Sequence, residues 1–147
     1  MTYDIEVTDA PEQLTAVVAL STTWPELPRE AGAAFDEVWA YVAGRDGLRD
    51  DGHNVILYKD AVPNVEVGVA VTRGFEPEGR VAPSVLPGGS VARTVHRGGY
   101  DLLPAAHQAV REWCEANGHE VAGPRWEIYG HVHDDPDRQE TEVVWLL

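Results

Sequence analysis

The sequence repeats one order of secondary-structure signals, and this duplication restricts the possible folds more than any other feature. Each half carries an apolar strand candidate, a helix candidate and two further strand candidates. Trp39 and Trp113 lie 74 residues apart, and Tyr58 and Tyr129 lie 71 residues apart, so matching residues recur at similar offsets. The predicted elements are strands at 15–20, 54–58 and 65–71 with a helix at 28–43, and strands at 90–95, 125–132 and 140–147 with a helix at about 101–117.

Both helix candidates carry an apolar stripe at spacings of three and four, which is typical of a helix with one buried face. Asp101 is a predicted N-cap for the second helix. The stripes are formed by Ala31, Phe35, Val38 and Val42 in the first helix and by Leu103, Ala106, Val110 and Trp113 in the second.

These patterns predict an α+β fold, in which one antiparallel sheet of about eight strands carries two helices on one face. We expect a single domain over residues 1–147, with one repeat at about 1–74 and the other at about 80–147. Glycine and proline at 74–80 and 87–89 predict a connector made of turns.

The net charge of −14 argues against a nucleic-acid partner, because such binding requires lysine and arginine to displace counterions. Lys59 is the one lysine, and the arginines are scattered along the chain. No apolar run approaches the roughly 20 residues of a membrane helix, and the N-terminus lacks the layout of a signal peptide, so we expect no membrane partner and a cytoplasmic location. The acidity can either keep the surface solvated or attract cationic ligands. The oligomeric state stays open.

The segment from Gly123 to Tyr129 is a strand candidate of aromatic and β-branched residues with a carboxylate, Glu127, in its middle. The corresponding residue of the first repeat is the apolar Ile56. A buried carboxylate is costly, so this exchange indicates either a ligand-facing charge or a general acid or base with a raised pKa. The alternatives are a solvated strand face, or pairing with Arg125 or Arg93.

Several short motifs follow one another along the chain: His96-x-Gly98-x-Tyr100 before a helix, Gly123-Pro124-x-Trp126-Glu127-x-Tyr129, Asp135-Pro136 in a loop, and Thr141-Glu142-Val143. Their order and spacing resemble those of the GyrI-like small-molecule-binding (effector-binding) family. The resemblance implies that the acidic residue on the penultimate strand, here Glu127, contacts cationic aromatic ligands in a groove between the helices and the sheet. It also implies relatives that are fused to DNA-binding domains, that open strained rings as hydrolases, or that bind DNA gyrase.

Aromatic residues are numerous for this length, and flat apolar walls suit planar or cationic ligands. Tyr58 and Tyr129 share the strand parity of Glu127, which makes them the first candidates for the pocket wall. The full set of predicted ligand-binding residues is Glu127, Tyr129, Tyr58, Trp39, Trp126, Phe35 and Trp113.

No metal and no cofactor are predicted. Cys114 is the only cysteine and is interpreted as a core thiol, which excludes a cysteine metal cluster. His131 and His133 would share one strand face but lack a third ligand at a recognisable spacing, and His96 is expected to be structural.

Three functions remain open at this level. The first is a stand-alone protein that binds a hydrophobic, cationic or polar-aromatic compound for sensing, sequestration or resistance. The second is a hydrolase of strained electrophiles such as cyclopropanoid compounds, with Glu127 as general acid or base and Tyr129 or Tyr58 holding the substrate. The third is an inhibitor of a protein partner such as gyrase. The repeats occupy the residues available here, so no helix-turn-helix is expected.

Overall fold

The computed structural model describes residues 3–45, 47–130 and 134–147. Within them the chain forms eight β-strands and two α-helices, together with short 3₁₀ turns. The elements are β1 (Glu6–Ala10), β2 (Gln13–Ser21), α1 (Leu27–Ala43), β3 (Arg49–Tyr58), β4 (Asn64–Val71), β5 (Val81–Leu86), β6 (Gly89–Arg97), α2 (Leu103–Ala116), β7 (Arg125–Tyr129) and β8 (Glu140–Leu146).

The predicted α+β fold is confirmed. The eight strands form one antiparallel sheet in the order β1-β6-β8-β7-β3-β4-β2-β5. The first repeat contributes β2, β4 and β3 from one side of the sheet, and the second contributes β6, β8 and β7 from the other. Both repeats therefore have the same strand order, and they meet at the β3–β7 pair.

Both helices lie on the same face of the sheet. In α1 the buried residues Ala31, Val38 and Val42 pack mainly against β2 and β4, and α2 packs mainly against β6 and β8. Each helix thus covers the outer strands of its own repeat, because its apolar stripe must be buried there. The central pair, β3 and β7, is left as the floor of a groove between the two helices.

The other face of the sheet is covered by the chain itself. Strand β1 pairs with β6 and β2 with β5 in one unchanged register, so that residues 6–21 and 81–97 form a single long antiparallel ribbon. The ribbon bends at 11–12 and at 87–88, where a Cβ on Gly88 would lie 2.8 Å from the backbone nitrogen of Glu12. A second core cluster, which includes Leu86 and Trp126, fills the space beneath this bend.

Several local expectations need correction. Asp101 does not cap α2, because it lies in a 3₁₀ turn and the N-cap residue is Leu102, with no side-chain cap. Cys114, rather than Trp113, continues the buried stripe of α2. Strand β5 lies within the region expected to be a connector, and its Pro83 is tolerated because β5 is an edge strand. No described helix has both the length and the apolar character that a membrane crossing requires.

Candidate functional site

A cavity of about 1360 Å³ lies over the β3–β7 floor, between α1 and α2. Ala31 and Gly32 give the α1 wall little side-chain bulk, which leaves room for a ligand with several rings. The residues that line it include Phe35, Trp39, His53, Asn54, Ile56, Tyr58, His107, Arg111, Arg125, Glu127 and Tyr129 from the floor and the two helices, and Trp145 from β8.

Glu127 lies at the centre of the floor and is only 3% exposed. It sits directly opposite Ile56 across the β3–β7 pair, so the two residues that correspond in the repeats face each other at the junction. The symmetry of the two repeats is therefore broken at this point by one negative charge.

Three neutral donors hold the Glu127 carboxylate. The Tyr58 hydroxyl donates to Oε1 at 2.7 Å, and the Tyr129 hydroxyl donates to the same oxygen. His107 Nε2, on α2, lies 2.9 Å from Oε2. The predicted alternatives, pairing with Arg125 or Arg93, do not occur, since Arg93 binds Glu142 and Glu6.

The Trp145 indole determines which nitrogen of His107 carries the proton. Trp145 Nε1 lies 3.0 Å from His107 Nδ1, and an indole N–H can only donate. Nδ1 must therefore accept and carry no proton, which leaves Nε2–H to donate to Glu127. In this arrangement His107 is neutral, and its bond to Glu127 is a hydrogen bond rather than an ion pair.

The pKa of Glu127 is lowered, which corrects the expectation of a raised value. Burial acts to raise this pKa, but the hydrogen bond and the electrostatic attraction from His107, followed by the hydrogen bonds from Tyr129 and Tyr58, stabilise the charged form and outweigh it. Burial, followed by the nearby carboxylate charge, raises the pKa of both Tyr58 and Tyr129. Both hydroxyls therefore remain donors across the physiological pH range.

The lowered pKa of Glu127 predicts a specific dependence of stability on pH. A carboxyl group with a depressed folded-state pKa stabilises the fold above its unfolded value, near 4.5, and loses that contribution as pH falls through the folded value. The difference in free energy of unfolding between wild type and Glu127→Gln should stay constant from about pH 8 to 5 and shrink below about pH 4.5. Urea denaturation over this range measures it. A difference that instead grows between pH 8 and 5 would indicate a raised pKa.

Aromatic rings form much of the cavity wall. Phe35 meets Tyr129 edge-on at 6.3 Å between centroids, and Tyr100 meets the same ring edge-on at 5.4 Å. Trp24, which is 48% exposed, stacks on Tyr58 at 5.8 Å near the opening. Trp39 Nε1 donates to Asn54 Oδ1 at 2.8 Å, which fixes the indole on the α1 side.

Two of the predicted ligand-binding residues lie outside the cavity. Trp126 is 3% exposed and packs in the cluster on the opposite face of the sheet, because strand alternation turns it away from Glu127. Trp113 packs against the outer side of the α2 core and stacks on His119. The structure brings together the other five, which are Glu127, Tyr129, Tyr58, Trp39 and Phe35.

Sequence reasoning missed His107, Trp145, Arg111 and Arg125 as cavity residues. One signal was present for His107, which lies four residues after Leu103 and three before Val110, beside the apolar stripe of α2. A titratable residue at that position of a buried helix face needs a polar partner. No comparable signal marks Trp145, whose partner lies 38 residues away in the chain.

The described residues contain no group of three or more His, Cys, Asp or Glu side chains placed to hold a metal ion. His131 and His133, the pair considered from the sequence, lie outside the described residues. His96 is fully buried, with Nδ1 2.9 Å from the Tyr3 hydroxyl and Nε2 2.9 Å from the Gly99 carbonyl oxygen.

Comparison with family models decides the classification. The model of the GyrI-like small molecule binding domain matches residues 3–147. The chain belongs to this family. The GyrI-like domain thus spans the whole of the duplicated fold, and the resemblance inferred from short motifs is confirmed. The comparison with curated protein sequences returned no match.

Solved structures share the fold of this GyrI-like domain at low sequence identity. The EcmrR C-terminal domain matches with a TM-score of 0.81 and 22% identity, over 99% of this chain and 98% of that one. In the cryo-EM structure of the EcmrR–DNA complex the match has a TM-score of 0.78 and 20% identity, and covers 97% of this chain but 56% of that one. SAV2435 bound to tetraphenylphosphonium matches with a TM-score of 0.59 and 11% identity, over 99% and 93% of the two chains. A hydrolase from Listeria innocua matches with a TM-score of 0.57 and 13% identity, over 96% of this chain and 90% of that one.

Proposed function

We propose that this GyrI-like domain binds hydrophobic aromatic molecules that carry a positive charge, and that the charge lies beside Glu127. The observation that carries the proposal is a buried carboxylate whose described donors, Tyr58, Tyr129 and His107, are all neutral. Both oxygens accept hydrogen bonds, but no arginine or lysine nitrogen of the described residues lies within ion-pair distance, 4.0 Å, of them, and Arg125 attracts the carboxylate only from farther away. A cation in the cavity would supply the missing charge where little water screens the interaction.

The walls suit such a ligand. Seven aromatic side chains line the cavity, namely Trp24, Phe35, Trp39, Tyr58, Tyr100, Tyr129 and Trp145. A cation against an aromatic face is attracted by the ring quadrupole, most strongly where it is desolvated. The tetraphenylphosphonium held by SAV2435, a protein of the same fold, is a hydrophobic aromatic cation and supports this class of ligand.

The state of Glu127 favours binding over proton transfer. A general acid must hold a proton near neutral pH, whereas the pKa of Glu127 is lowered. A lowered pKa also makes the carboxylate a weaker general base, and three of its roughly four lone-pair positions already accept hydrogen bonds from Tyr58, Tyr129 and His107. We therefore assign the cavity to reversible binding, in the service of sensing or sequestration, and propose no catalytic step.

A pair of ions with one shape and opposite charge tests the proposal. Tetraphenylphosphonium and tetraphenylborate present the same four phenyl rings around a central atom, so their difference in affinity isolates the sign of the charge. Isothermal titration calorimetry should show the phosphonium binding at least about tenfold more tightly, because the borate would place its charge near Glu127. Equal affinity for the two ions, or binding of neither, would refute the proposal.

A further inference from the structure

Two arginines line the cavity without an acidic partner. Arg125 on β7 and Arg111 on α2 both face it, and among the described residues neither has a carboxylate oxygen within 4.0 Å. The chain has 25 acidic and 11 basic residues, so carboxylates are abundant. The other basic side chains that form ion pairs with described carboxylates are Arg29, Arg45, Lys59, Arg80, Arg93 and Arg97.

Strand and helix periodicity place the half-buried Arg125 and the exposed Arg111 in the same part of the cavity as Glu127. Arg125 precedes Glu127 by two residues on the same strand face, a spacing of about 6.5 Å. Arg111 follows His107 by four residues on the same face of α2. Because His107 donates to Glu127, strand and helix together present a negative centre and, beside it, a positive one.

The surroundings of Arg125 favour an anion that the chain itself does not supply. Its guanidinium carbon lies 4.9 Å from the ring centroid of Trp145, and burial together with the like charge of Arg111 lowers its pKa. Glu127 attracts Arg125 only from beyond ion-pair distance, and so does the carboxylate of Asp60. Its oxygens already accept hydrogen bonds from the backbone of Val62 and from the backbone and side chain of Asn64.

We propose that the cavity binds zwitterionic aromatic compounds, with the positive group beside Glu127 and a carboxylate between Arg111 and Arg125. This inference rests on the proposed function and adds a second charge to the ligand. A ligand with only a positive charge would leave both arginines facing it without a partner. A ligand with only a negative charge would be repelled by Glu127 and by the net charge of −14. A carboxylate matches the fork of N–H donors on a guanidinium, which makes it the expected anionic group.

The test compares (4-carboxyphenyl)triphenylphosphonium with its methyl ester. The two compounds share the phosphonium and all four rings, and a rigid phenylene spacer separates the two charges of the acid. At pH 7 the wild type should bind the acid about tenfold more tightly than the ester, the scale of one charged hydrogen-bonded contact. Arg125→Gln and Arg111→Gln should each remove most of this advantage, and the ester should gain affinity as a repulsive charge is lost. Arg138→Gln, a change at an exposed arginine outside the cavity, should preserve the full advantage.

The outcomes separate this inference from the proposal beneath it. If the ester binds the wild type and the acid binds no more tightly, the proposed binding of a carboxylate by the cavity is refuted, while the proposed binding of cations stands. If the acid is preferred but neither arginine variant changes the preference, the assignment to Arg111 and Arg125 is refuted. If neither compound binds, cation binding in this cavity is refuted as well.

Discussion

Replacing Glu127 by glutamine is expected to weaken tetraphenylphosphonium binding by about 1–3 kcal/mol, or roughly five- to 150-fold. The change keeps the size of the side chain but removes the only carboxylate that lines the cavity among the described residues. The substitution also brings the glutamine amide N–H₂, a donor, up against another hydrogen-bond donor. If the glutamine oxygen accepts from Tyr58 and Tyr129, its nitrogen faces the Nε2–H of His107, which the Trp145 indole keeps in that tautomer.

Glu66→Gln is the matched control for this experiment. Glu66 is also a buried carboxylate, 8% exposed, but it lies on β4 outside the cavity and contacts Lys59 and Ser84. The Glu66→Gln variant should bind tetraphenylphosphonium as the wild type does. Calorimetry on both variants, after thermal unfolding has shown that each is folded, gives the comparison. An unchanged affinity in folded Glu127→Gln would remove Glu127 from the binding site.

The architecture could be predicted from the sequence because the periodic spacing of apolar residues reveals the duplicated unit. The stripes of the two helices and the alternation of β4 are each visible within one element, and the repeat shows that the two units are alike. Strands β1 and β5 escaped prediction for local reasons. The β1 residues are mostly exposed and carry no apolar alternation, and Pro83 in β5 is a residue that usually argues against a strand. Their pairing depends on a ribbon whose paired residues lie between 63 (Val18 and Val81) and 87 (Glu6 and Arg93) positions apart in the chain.

The candidate site was predictable only in part. The residues that were found follow a local pattern, and those that were missed depend on contacts between separate elements. Glu127, Tyr58 and Tyr129 were found because the repeat offset and strand parity place them on one face. His107 and Trp145 act through contacts between separate elements, which no local pattern encodes. The direction of the Glu127 pKa was wrong for this reason, since burial could be inferred from the sequence but the donors that outweigh it could not. Trp126 was wrongly included among the ligand-binding residues, although strand alternation already placed it on the face opposite Glu127.

The largest loss of binding is expected from Gly32→Trp, which would place an indole inside the cavity. Gly32 lies on α1 at the cavity wall, one turn before Phe35, and a Cβ at this position meets no heavy atom within 4 Å. The new ring can therefore occupy ligand space without displacing backbone, and tetraphenylphosphonium should lose more than about 100-fold in affinity, beyond what removal of one charge costs. Gly32→Ala is the control. It should bind normally and raise the free energy of unfolding by about 0.5–1 kcal/mol, because alanine replaces glycine within a helix. Wild-type affinity in a folded Gly32→Trp variant would mean that the ligand does not lie between the two helices, and the role assigned to the β3–β7 floor would fail with it.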